Sequence, residues 1–212
     1  ENREVWRGYI PHAARLRAMT GNDDPERRGS LYLKVGRCLR ADGRIKDAVS
    51  WLEGSSDLRE NLAEDNPDRL TSQQVLASAY RANGQVKEAV QLLEHVVAIE
   101  RRVLAKDQPD QLASQHKLAR AYQSNGQVKE AVRLLEHIVA IDKRLLAEDH
   151  PSRLTSQHTL AGAYQDDGQI KEAVRLLEYV VTIRERVLAE DHPSRLMSQH
   201  ELAGAYQDDG QV

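Results

Sequence analysis

The chain has few cysteines, few aromatic residues and no long apolar stretch, and these are features that other classes of protein need. Among its 212 residues are one cysteine, no phenylalanine and only 4% aromatic residues. A single cysteine, Cys38, cannot form a disulfide within the chain, which excludes a scaffold held together by internal disulfides. The longest apolar-leaning stretches, such as 132–141, contain charged residues and fall short of the roughly 20 apolar residues that a membrane span needs. We therefore expect no membrane partner.

Signals for secretion are not found at the start of the sequence. The chain begins at Glu1 rather than at a methionine, and no signal-peptide pattern follows. Together with the unpaired cysteine, this predicts a reducing, cytoplasmic compartment. The last residue, Val212, falls inside the pattern of a predicted helix. We therefore expect the chain to be part of a longer protein.

Charge is nearly balanced overall but unevenly spread. The formal net charge is −3, yet residues 1–46 hold 11 Lys and Arg against 6 Asp and Glu, whereas residues 150–212 hold 6 against 10. This pattern is typical of a solvated surface whose charge differs between its two ends. Basic residues are not interleaved with exposed aromatic ones, so no nucleic-acid partner is expected.

What the chain does have is a pattern that recurs every 42 residues. The markers are Pro67, Pro109, Pro151 and Pro193; Gly84, Gly126, Gly168 and Gly210; and Tyr80, Tyr122, Tyr164 and Tyr206. A fixed period of this length is typical of a solenoid, in which neighbouring repeats bury one another's apolar faces. We therefore look for function on a surface rather than in an enclosed pocket.

Each repeat predicts two helices. In residues 110–151, apolar positions at helical spacing cover 110–124, and Asn125 and Gly126 supply a helix end. A longer apolar pattern starts at Val128 and is ended by Pro151. We name the first helix of a pair helix A and the second helix B. The turns are short, so the two helices are expected to run antiparallel.

The residues of this repeat resemble those of a known family. The matching positions are Leu118, Ala119, Tyr122, Gly126, Ala131, Leu135 and Pro151. They resemble the tetratricopeptide repeat (TPR), in the 42-residue form found in kinesin light chains. The resemblance implies an all-α, right-handed superhelical solenoid of antiparallel helix pairs. Gln115 replaces a large apolar residue and Val128 an aromatic one, and neither departure is expected to change the fold.

The repeat register divides the chain into segments. These are a linker and capping helix at 1–24, a degenerate first repeat at 25–66, regular repeats at 67–108, 109–150 and 151–192, and helix A of a further repeat at 193–212. The degenerate repeat has Gly36, Cys38 and Leu39 where the others have Ala, Ala and Tyr. Its Gly54-Ser55-Ser56 sequence predicts an interruption of helix B. Cys38 is predicted to be a buried small apolar residue.

A second resemblance concerns the start of the chain. The sequence ENREVWRGYIPHA at 1–13 resembles the segment that joins the nucleotide-binding module to the repeats in fungal NLR-like (STAND) receptors. The sequences TSQH at 155–158, QIKEAV at 169–174 and EDHP at 190–193 are similar to those arrays as well. In that family the motor is an NB-ARC-type ATPase. This chain has no phosphate-loop motif, so the resemblance implies a motor elsewhere in the protein.

The TPR resemblance also implies a ligand-facing surface, because helix A lines the concave groove of such arrays and helix B the outside. The predicted groove positions are Gln74, Ser78, Arg81, His116, Arg120, Gln123, His158, Gln165, Asp166, His200 and Gln207. We expect them to contact a peptide or protein partner.

The recurring histidines at 116, 158 and 200 do not predict a metal site. Ligand atoms must lie about 2 Å from a zinc ion, whereas neighbouring helices pack about 8–10 Å apart. No metal or cofactor is therefore expected. The histidines are predicted to make interhelical hydrogen bonds or to lie in the hydrated groove, with contact to a bound peptide as the alternative.

Two adjacent repeats allow an internal comparison. Residues 110–151 and 152–193 are identical at 28 of 42 positions. One difference at a groove position is Arg120/Gly162, while Asp142/Arg184 and Lys143/Glu185 are expected to lie on the outer, exposed side. Either exposed positions drift freely, or the groove has diversified to recognise ligands.

The functional expectation is a non-catalytic protein–protein interaction scaffold. Asp166-Asp167 and Asp208-Asp209 are neighbours at helix ends and do not form a desolvated acid–base pair. The receptor resemblance implies a ligand-sensing and autoinhibitory array that contacts a nucleotide-binding domain. The alternatives are self-assembly through the repeat ends and a kinesin-light-chain-like cargo adaptor. No heptad coiled coil is visible in residues 1–24, which disfavours the adaptor.

Overall fold

The computed structural model describes residues 3–18, 24–105 and 107–210. In these ranges it contains ten α-helices and no strand. They are α1 (Arg3–Ala18), α2 (Pro25–Ala41), α3 (Ile45–Asp57), α4 (Pro67–Ala82), α5 (Val86–Val103), α6 (Pro109–Ser124), α7 (Val128–Leu145), α8 (Pro151–Asp166), α9 (Ile170–Val187) and α10 (Pro193–Asp208). The predicted all-α fold class is confirmed.

The chain forms two compact units, Glu1–Lys117 and Leu118–Val212, which we call unit 1 and unit 2. Unit 1 contains α1 to α5 and the first part of α6, and unit 2 contains the rest of α6 and α7 to α10. Each of α1 to α4 packs on the helix that follows it, as does each of α7 to α9. Residues 1–2 and 19–23 of the predicted segment 1–24, and residues 211–212 of the last predicted segment, lie outside the described residues.

The repeated prolines mark the start of helix A. α4, α6, α8 and α10 each begin at a proline, whose fixed φ and missing N–H suit the first position of a helix. Asn66 caps α4, its Oδ1 accepting from the backbone N–H of Asp68 at 2.9 Å. His150 does the same for α8, its Nδ1 accepting from the N–H of Ser152 at 3.2 Å.

The repeated glycines end helix A, as the sequence predicts. Gly126 has a φ of 76°, which a residue with a side chain rarely adopts. The N–H of Gln127 donates to the carbonyl of Tyr122 at 2.9 Å, and the N–H of Gly126 donates to the carbonyl of Gln123 at 3.0 Å. This pair of bonds satisfies the last carbonyls of α6 and lets the chain turn directly into α7.

Small residues of helix A and leucines of helix B form the cores. In unit 2, Ala161 of α8, with Ala173 and Leu177 of α9, is fully buried beside Ala205 of α10. Each buried leucine side chain contributes about 2 kcal/mol of hydrophobic stabilisation. The small alanine side chains leave room for these leucines. Because both residue types recur every 42 residues, helices A and B pack in the same way in each regular repeat.

Helix α1 packs on the first helix pair. Ala13 is 3% exposed and belongs to one core cluster with Tyr32 and Trp51. The guanidinium of Arg17 lies 4.8 Å from the ring centroid of Trp51, and Arg7 pairs with Asp42 at 2.9 Å. α1 therefore covers apolar surface of α2 and α3.

The predicted interruption of helix B in the degenerate repeat is wrong. α3 continues through residues 54–56 to Asp57. A Cβ at Gly54 would lie 3.0 Å from the ring of Tyr32, and the Ser55 hydroxyl donates to the carbonyl of Gly29 at 2.8 Å. Glycine and serine occur here because α2 and α3 approach closely, and this approach does not require the helix to break.

The same close approach explains two departures in α2. A Cβ at Gly36 would lie 2.5 Å from Cγ of Leu52, which is fully buried, so the alanine of the regular repeats would not fit. Cys38 is buried with 8% exposure, as predicted. The degenerate repeat thus keeps the helical hairpin but uses a different core packing.

None of the helices in the described ranges is long and apolar enough to cross a membrane.

Candidate peptide-binding surface

In unit 1, three predicted groove residues lie on one face of α4. Gln74, Ser78 and Arg81 are four and three residues apart, which places them on neighbouring helical turns. All three are half-buried, as is His116 of α6. The Ser78 hydroxyl donates to the Gln74 carbonyl at 2.9 Å.

Gln74 is the centre of a polar network. Its Nε2 donates to Oε1 of Glu100 at 2.9 Å, and its Oε1 accepts from Nζ of Lys117. The Ser114 hydroxyl also donates to Oε1 of Glu100, at 2.9 Å. Gln74 therefore links a buried carboxylate on α5 to an ammonium group on α6, so both ends of its amide are used within the protein.

Burial shifts the charges of this network towards neutrality. Desolvation raises the pKa of Glu100, against the stabilising effect of Ser114 and Lys117. Desolvation likewise lowers the pKa of Lys117, against the attraction of Glu100. The attraction between the two groups opposes both shifts, and Gln74 bridges them through its amide.

In unit 2, two hydrogen bonds join successive A helices. Nε2 of Gln123 donates to Oδ2 of Asp166 at 2.9 Å, and Nε2 of Gln165 donates to Oδ2 of Asp208 at 3.5 Å. The structure thus brings Gln123 and Asp166 together. Asp166 remains exposed, so its second carboxylate oxygen faces water.

Among the predicted histidines in unit 2, His158 is buried and His200 is exposed. His158 is 8% exposed, and its Nε2 lies 3.1 Å from Oε2 of Glu201 on α10. Desolvation, followed by the nearby charge of Arg184, lowers the pKa of His158 to about 4. His158 is therefore neutral at pH 7, and its buried side chain approaches α10 at Glu201.

The expectation that Asp142 and Arg184 lie on the exposed outer side is wrong. Both are 4% exposed. Arg184 donates from Nη1 to the Ser194 carbonyl at 2.8 Å and to the Ser198 hydroxyl. Desolvation lowers the pKa of Arg184, and Glu201 opposes that shift. The error came from assuming that a charged residue on helix B must be solvated.

The sequence contained a signal for this network. Arg184 lies four residues after Val180 and seven after Leu177, so it falls on the apolar stripe of α9. Glu100 has the same place on α5. In each case a residue of opposite charge follows 17 positions later, namely Lys117 and Glu201. The third equivalent residue, Asp142, is followed at this interval by the uncharged Thr159. Opposite charges at the same interval in two of the three repeats indicate an attraction between helix B and the next helix A.

Among the predicted groove positions of unit 2, Arg120, His200 and Gln207 are exposed. Gly162 and Gly204 hold the position of Arg120 in the next two A helices, and a Cβ at either would meet no atom within 4 Å. Packing therefore does not require a glycine at either position. Inside a helix, glycine costs about 0.5–1 kcal/mol relative to alanine. The effect is to leave backbone accessible on this face.

The described part of the chain contains no cluster of three or more His, Cys, Asp or Glu residues that could hold a metal ion. Asp167, in one of the carboxylate pairs, accepts from Nε2 of Gln169 at 2.7 Å, as a residue of a helix-ending turn. The predicted groove surface therefore has hydrogen-bonding groups, charged side chains and accessible backbone, all of which can bind a peptide.

Comparison with protein families supports the fold assignment. The tetratricopeptide repeat family matches residues 27–102 and 110–186. No curated protein matches the chain. Tetratricopeptide repeats generally bind protein or peptide partners and are typically non-catalytic scaffolds.

Solved structures include a relative from a fungus. The crystal structure of nearly identical TPR-like repeats, from a Podospora anserina protein named after kinesin light chain, is 54% identical, with a TM-score of 0.77 over 89% of this chain and 90% of that chain. A second crystal structure, of a variant of those repeats, is 52% identical, with a TM-score of 0.78 over 90% of both chains.

A more distant structure shares the fold alone. BtubC (BKLC) from P. vanneervenii is 16% identical, with a TM-score of 0.73 over 99% of this chain and 83% of that chain. From the family match, the fungal relatives and the helix pairs together, this chain belongs to the tetratricopeptide repeat family, and its repeats are of the kinesin-light-chain-like type.

Proposed function

We propose that this array is the ligand-sensing and autoinhibitory part of a cytoplasmic, fungal NLR-like (STAND) receptor, and that it binds a peptide or protein along the groove positions of its A helices. The family, which generally binds proteins or peptides, supports the binding role. The receptor context is supported by the resemblance of residues 1–13 to the segment that precedes such arrays and by the fungal source of a relative at 54% identity.

The observation that carries the binding role is the surface of α6, α8 and α10 in unit 2. The side chain of Arg120 is exposed and makes no hydrogen bond or ion pair to another described residue. Gly162 and Gly204 leave accessible backbone on the same face. An extended ligand chain could lie close to these helices, while a charged anchor contacts Arg120.

Other groove positions hold their side chains in fixed orientations before a ligand binds. Gln123 and Gln165 hold Asp166 and Asp208 by their amides, which fixes the direction of both carboxylates. Side chains that are already ordered lose less entropy when a ligand arrives. In the proposal they set the register of the bound chain, and Arg120 supplies charge.

Autoinhibition follows if the nucleotide-binding module occupies part of the same surface. A ligand that binds only the released array would shift the equilibrium towards the free module, by at most its difference in affinity for the two states. Release would then permit oligomerisation of the module.

The receptor role is tested in the full-length protein. We expect Arg120→Glu to weaken the contact with the nucleotide-binding module and to increase oligomerisation without ligand, measured by light scattering. Lys129→Glu, an exposed change of equal charge on helix B, is the matched control. A parent protein without a nucleotide-binding module, or one in which both variants behave as the wild type, would contradict the receptor role.

Self-association through the repeat ends is a second candidate, because near-identical repeats stack on one another and a repeat of a second copy could take the place of a neighbour. Leu196 of α10 holds the position of Leu154 in α8, which is buried. In light scattering over a concentration series, self-association predicts a mass that rises with concentration and that Leu196→Ser with Met197→Ser abolishes. A constant monomer mass would remove this candidate.

A cargo adaptor is the third candidate, and it rests on the names of the Podospora structures, which refer to kinesin light chain. It predicts a heptad coiled coil in the full-length protein in place of a nucleotide-binding module. Sequencing the parent transcript distinguishes the two.

A further inference from the structure

A cleft of about 560 Å³ lies in unit 2 between α7, α8 and α9. Its α8 lining includes Arg153, Leu160 and Tyr164, which are seven and four residues apart and so share one face of the helix. Gly162 is two residues from both Leu160 and Tyr164. Positions two apart lie on nearly opposite sides of a helix. The cleft therefore opens away from the proposed groove.

The base of this cleft is apolar. Leu160 and Val139 are 3% and 4% exposed, and Leu176 is half-buried beside them. The half-buried rings of Tyr164 and Tyr179 complete it. This surface would gain from covering an apolar side chain.

Cations from three helices surround the base: Lys143 of α7, Arg153 of α8 and Arg175 of α9. Against them are two carboxylates, Glu172 and Glu136, which accepts from the Tyr164 hydroxyl at 2.9 Å. Lys143 and Arg175 are exposed, and their side chains form no ion pair or hydrogen bond with any described residue. Arg153 is held in place, because Nη1 donates to the Leu146 carbonyl at 3.0 Å. We call the space that these three cations surround the basic cleft.

Unit 1 contains an equivalent cleft of about 430 Å³ between α3, α4 and α5. Leu76 and Tyr80 there hold the positions of Leu160 and Tyr164. The charged residues lining it are Glu53, Asp57 and Glu88, and neither Lys nor Arg contributes. Arg153 has an equivalent in unit 1, because Arg69 makes the same bond to the carbonyl of Leu62. Arg175 has none, since Gln91 holds its position. Lys143 and Arg175 are therefore not a packing requirement.

We infer that the basic cleft binds an acidic segment of a peptide or protein partner, with an apolar side chain on the base and carboxylates against Lys143 and Arg175. Charge complementarity of this kind selects partners and speeds their association. Arginine also binds carboxylates through two parallel N–H groups. The inference rests on the proposed function only in assuming a peptide or protein partner, since the cleft and the groove lie on different faces of α8.

The test uses the whole chain and a displayed library of random peptides. The cleft variant combines Lys143→Glu with Arg175→Glu. The control variant combines Arg133→Glu with Lys171→Glu, which makes the same change in net charge at exposed positions that do not line the cleft. Arg133 is also the repeat equivalent of Arg175. Circular dichroism establishes that all three proteins are folded, and Arg153 is left intact because it bonds to the backbone.

We expect acidic peptides that bind the wild type and the control variant, and whose affinity for the cleft variant falls by about 10-fold or more. The library selection would overturn the inference if it gave no acidic peptide with this difference, or if the control variant lost as much affinity. Peptides that require Arg120 but bind the cleft variant normally would leave the groove proposal standing and overturn the cleft. Peptides that depend on the cleft alone would support the cleft and count against the groove.

Discussion

Arg184 on α9 and Glu100 on α5 occupy the same position in their repeats, are both buried, and carry opposite charges. Their partners are exchanged in the same sense: Lys117 follows Glu100 by 17 residues, and Glu201 follows Arg184 by 17. The serine at the start of the next helix A adapts, since a hydroxyl can donate to a carboxylate and accept from a guanidinium. In each repeat, the buried charge and the residue 17 positions later therefore attract each other.

This exchange predicts a charge-reversal result. Arg184→Glu places a carboxylate beside Glu201 in a buried site, and we expect the free energy of unfolding to fall by about 3 kcal/mol. Adding Glu201→Lys recreates in unit 2 the arrangement of Glu100 and Lys117, and should restore more than half of the loss. Urea unfolding followed by circular dichroism measures both. A double variant no more stable than the single one would show that the pair is not matched by charge.

Replacing glycine by alanine should have opposite effects on stability at two nearby sites, one inside a helix and one in a turn. Gly162→Ala meets no atom within 4 Å and should stabilise the chain by about 0.5–1 kcal/mol. Gly168→Ala, at a φ of 76°, should destabilise it by about 1 kcal/mol. Thermal unfolding measures both changes. If Gly162→Ala also destabilises, the backbone on this face is more crowded than the structure shows.

His158 predicts a loss of stability in mild acid. Its pKa falls from the ordinary 6.5 to about 4 on folding, so the unfolded chain binds a proton more readily than the folded chain. The free energy of unfolding should therefore decrease as the pH falls from 6.5 towards 4. We expect His158→Gln to flatten this part of the stability profile, measured by urea unfolding at several pH values. An unchanged slope in the variant would assign the acid sensitivity to other groups.

Tyr164 predicts a loss of stability in alkali. Desolvation, and then its 2.9 Å hydrogen bond to Glu136, raise its pKa from the ordinary 10 to about 12. The folded chain holds the proton more tightly, so this contribution is complete below pH 10 and is lost as the pH rises towards 12. Tyrosinate absorbance measures the midpoint. Glu136→Gln keeps an acceptor but removes the charge, and should lower the midpoint; no change would exclude the carboxylate as a cause.

Much of the fold could be predicted because repeated residues report on local backbone geometry. Pro151 marks the first turn of α8 and Gly126 the left-handed end of α6, and both effects act within a few residues. The packing of α2 against α3 could not be predicted in the same way. Gly54 and Gly36 are required by contacts with Tyr32 and Leu52, and such contacts depend on how closely two helices approach.

The candidate surface was less predictable than the fold. The TPR resemblance gives the face on which Arg120 and His158 lie, but it does not tell whether a polar side chain on that face is exposed or paired. His158 is buried against Glu201, whereas Arg120 is exposed. The exchange between Glu100 and Arg184 also depends on pairs formed between repeats. Hydrophobic periodicity describes each helix separately, so it does not indicate which charged residues of two helices come together.

The measurement that tests the central claim most directly maps a bound peptide by NMR on the isotope-labelled array. The peptide is selected on the Lys143→Glu, Arg175→Glu variant, so that peptides requiring the basic cleft are removed. The account predicts the largest amide shifts at Gly162 and Gly204, with small shifts at the turn glycines Gly126 and Gly168. Failure to select any peptide, or a peptide that leaves Gly162 and Gly204 unmoved while residues elsewhere shift, would contradict binding along the A helices.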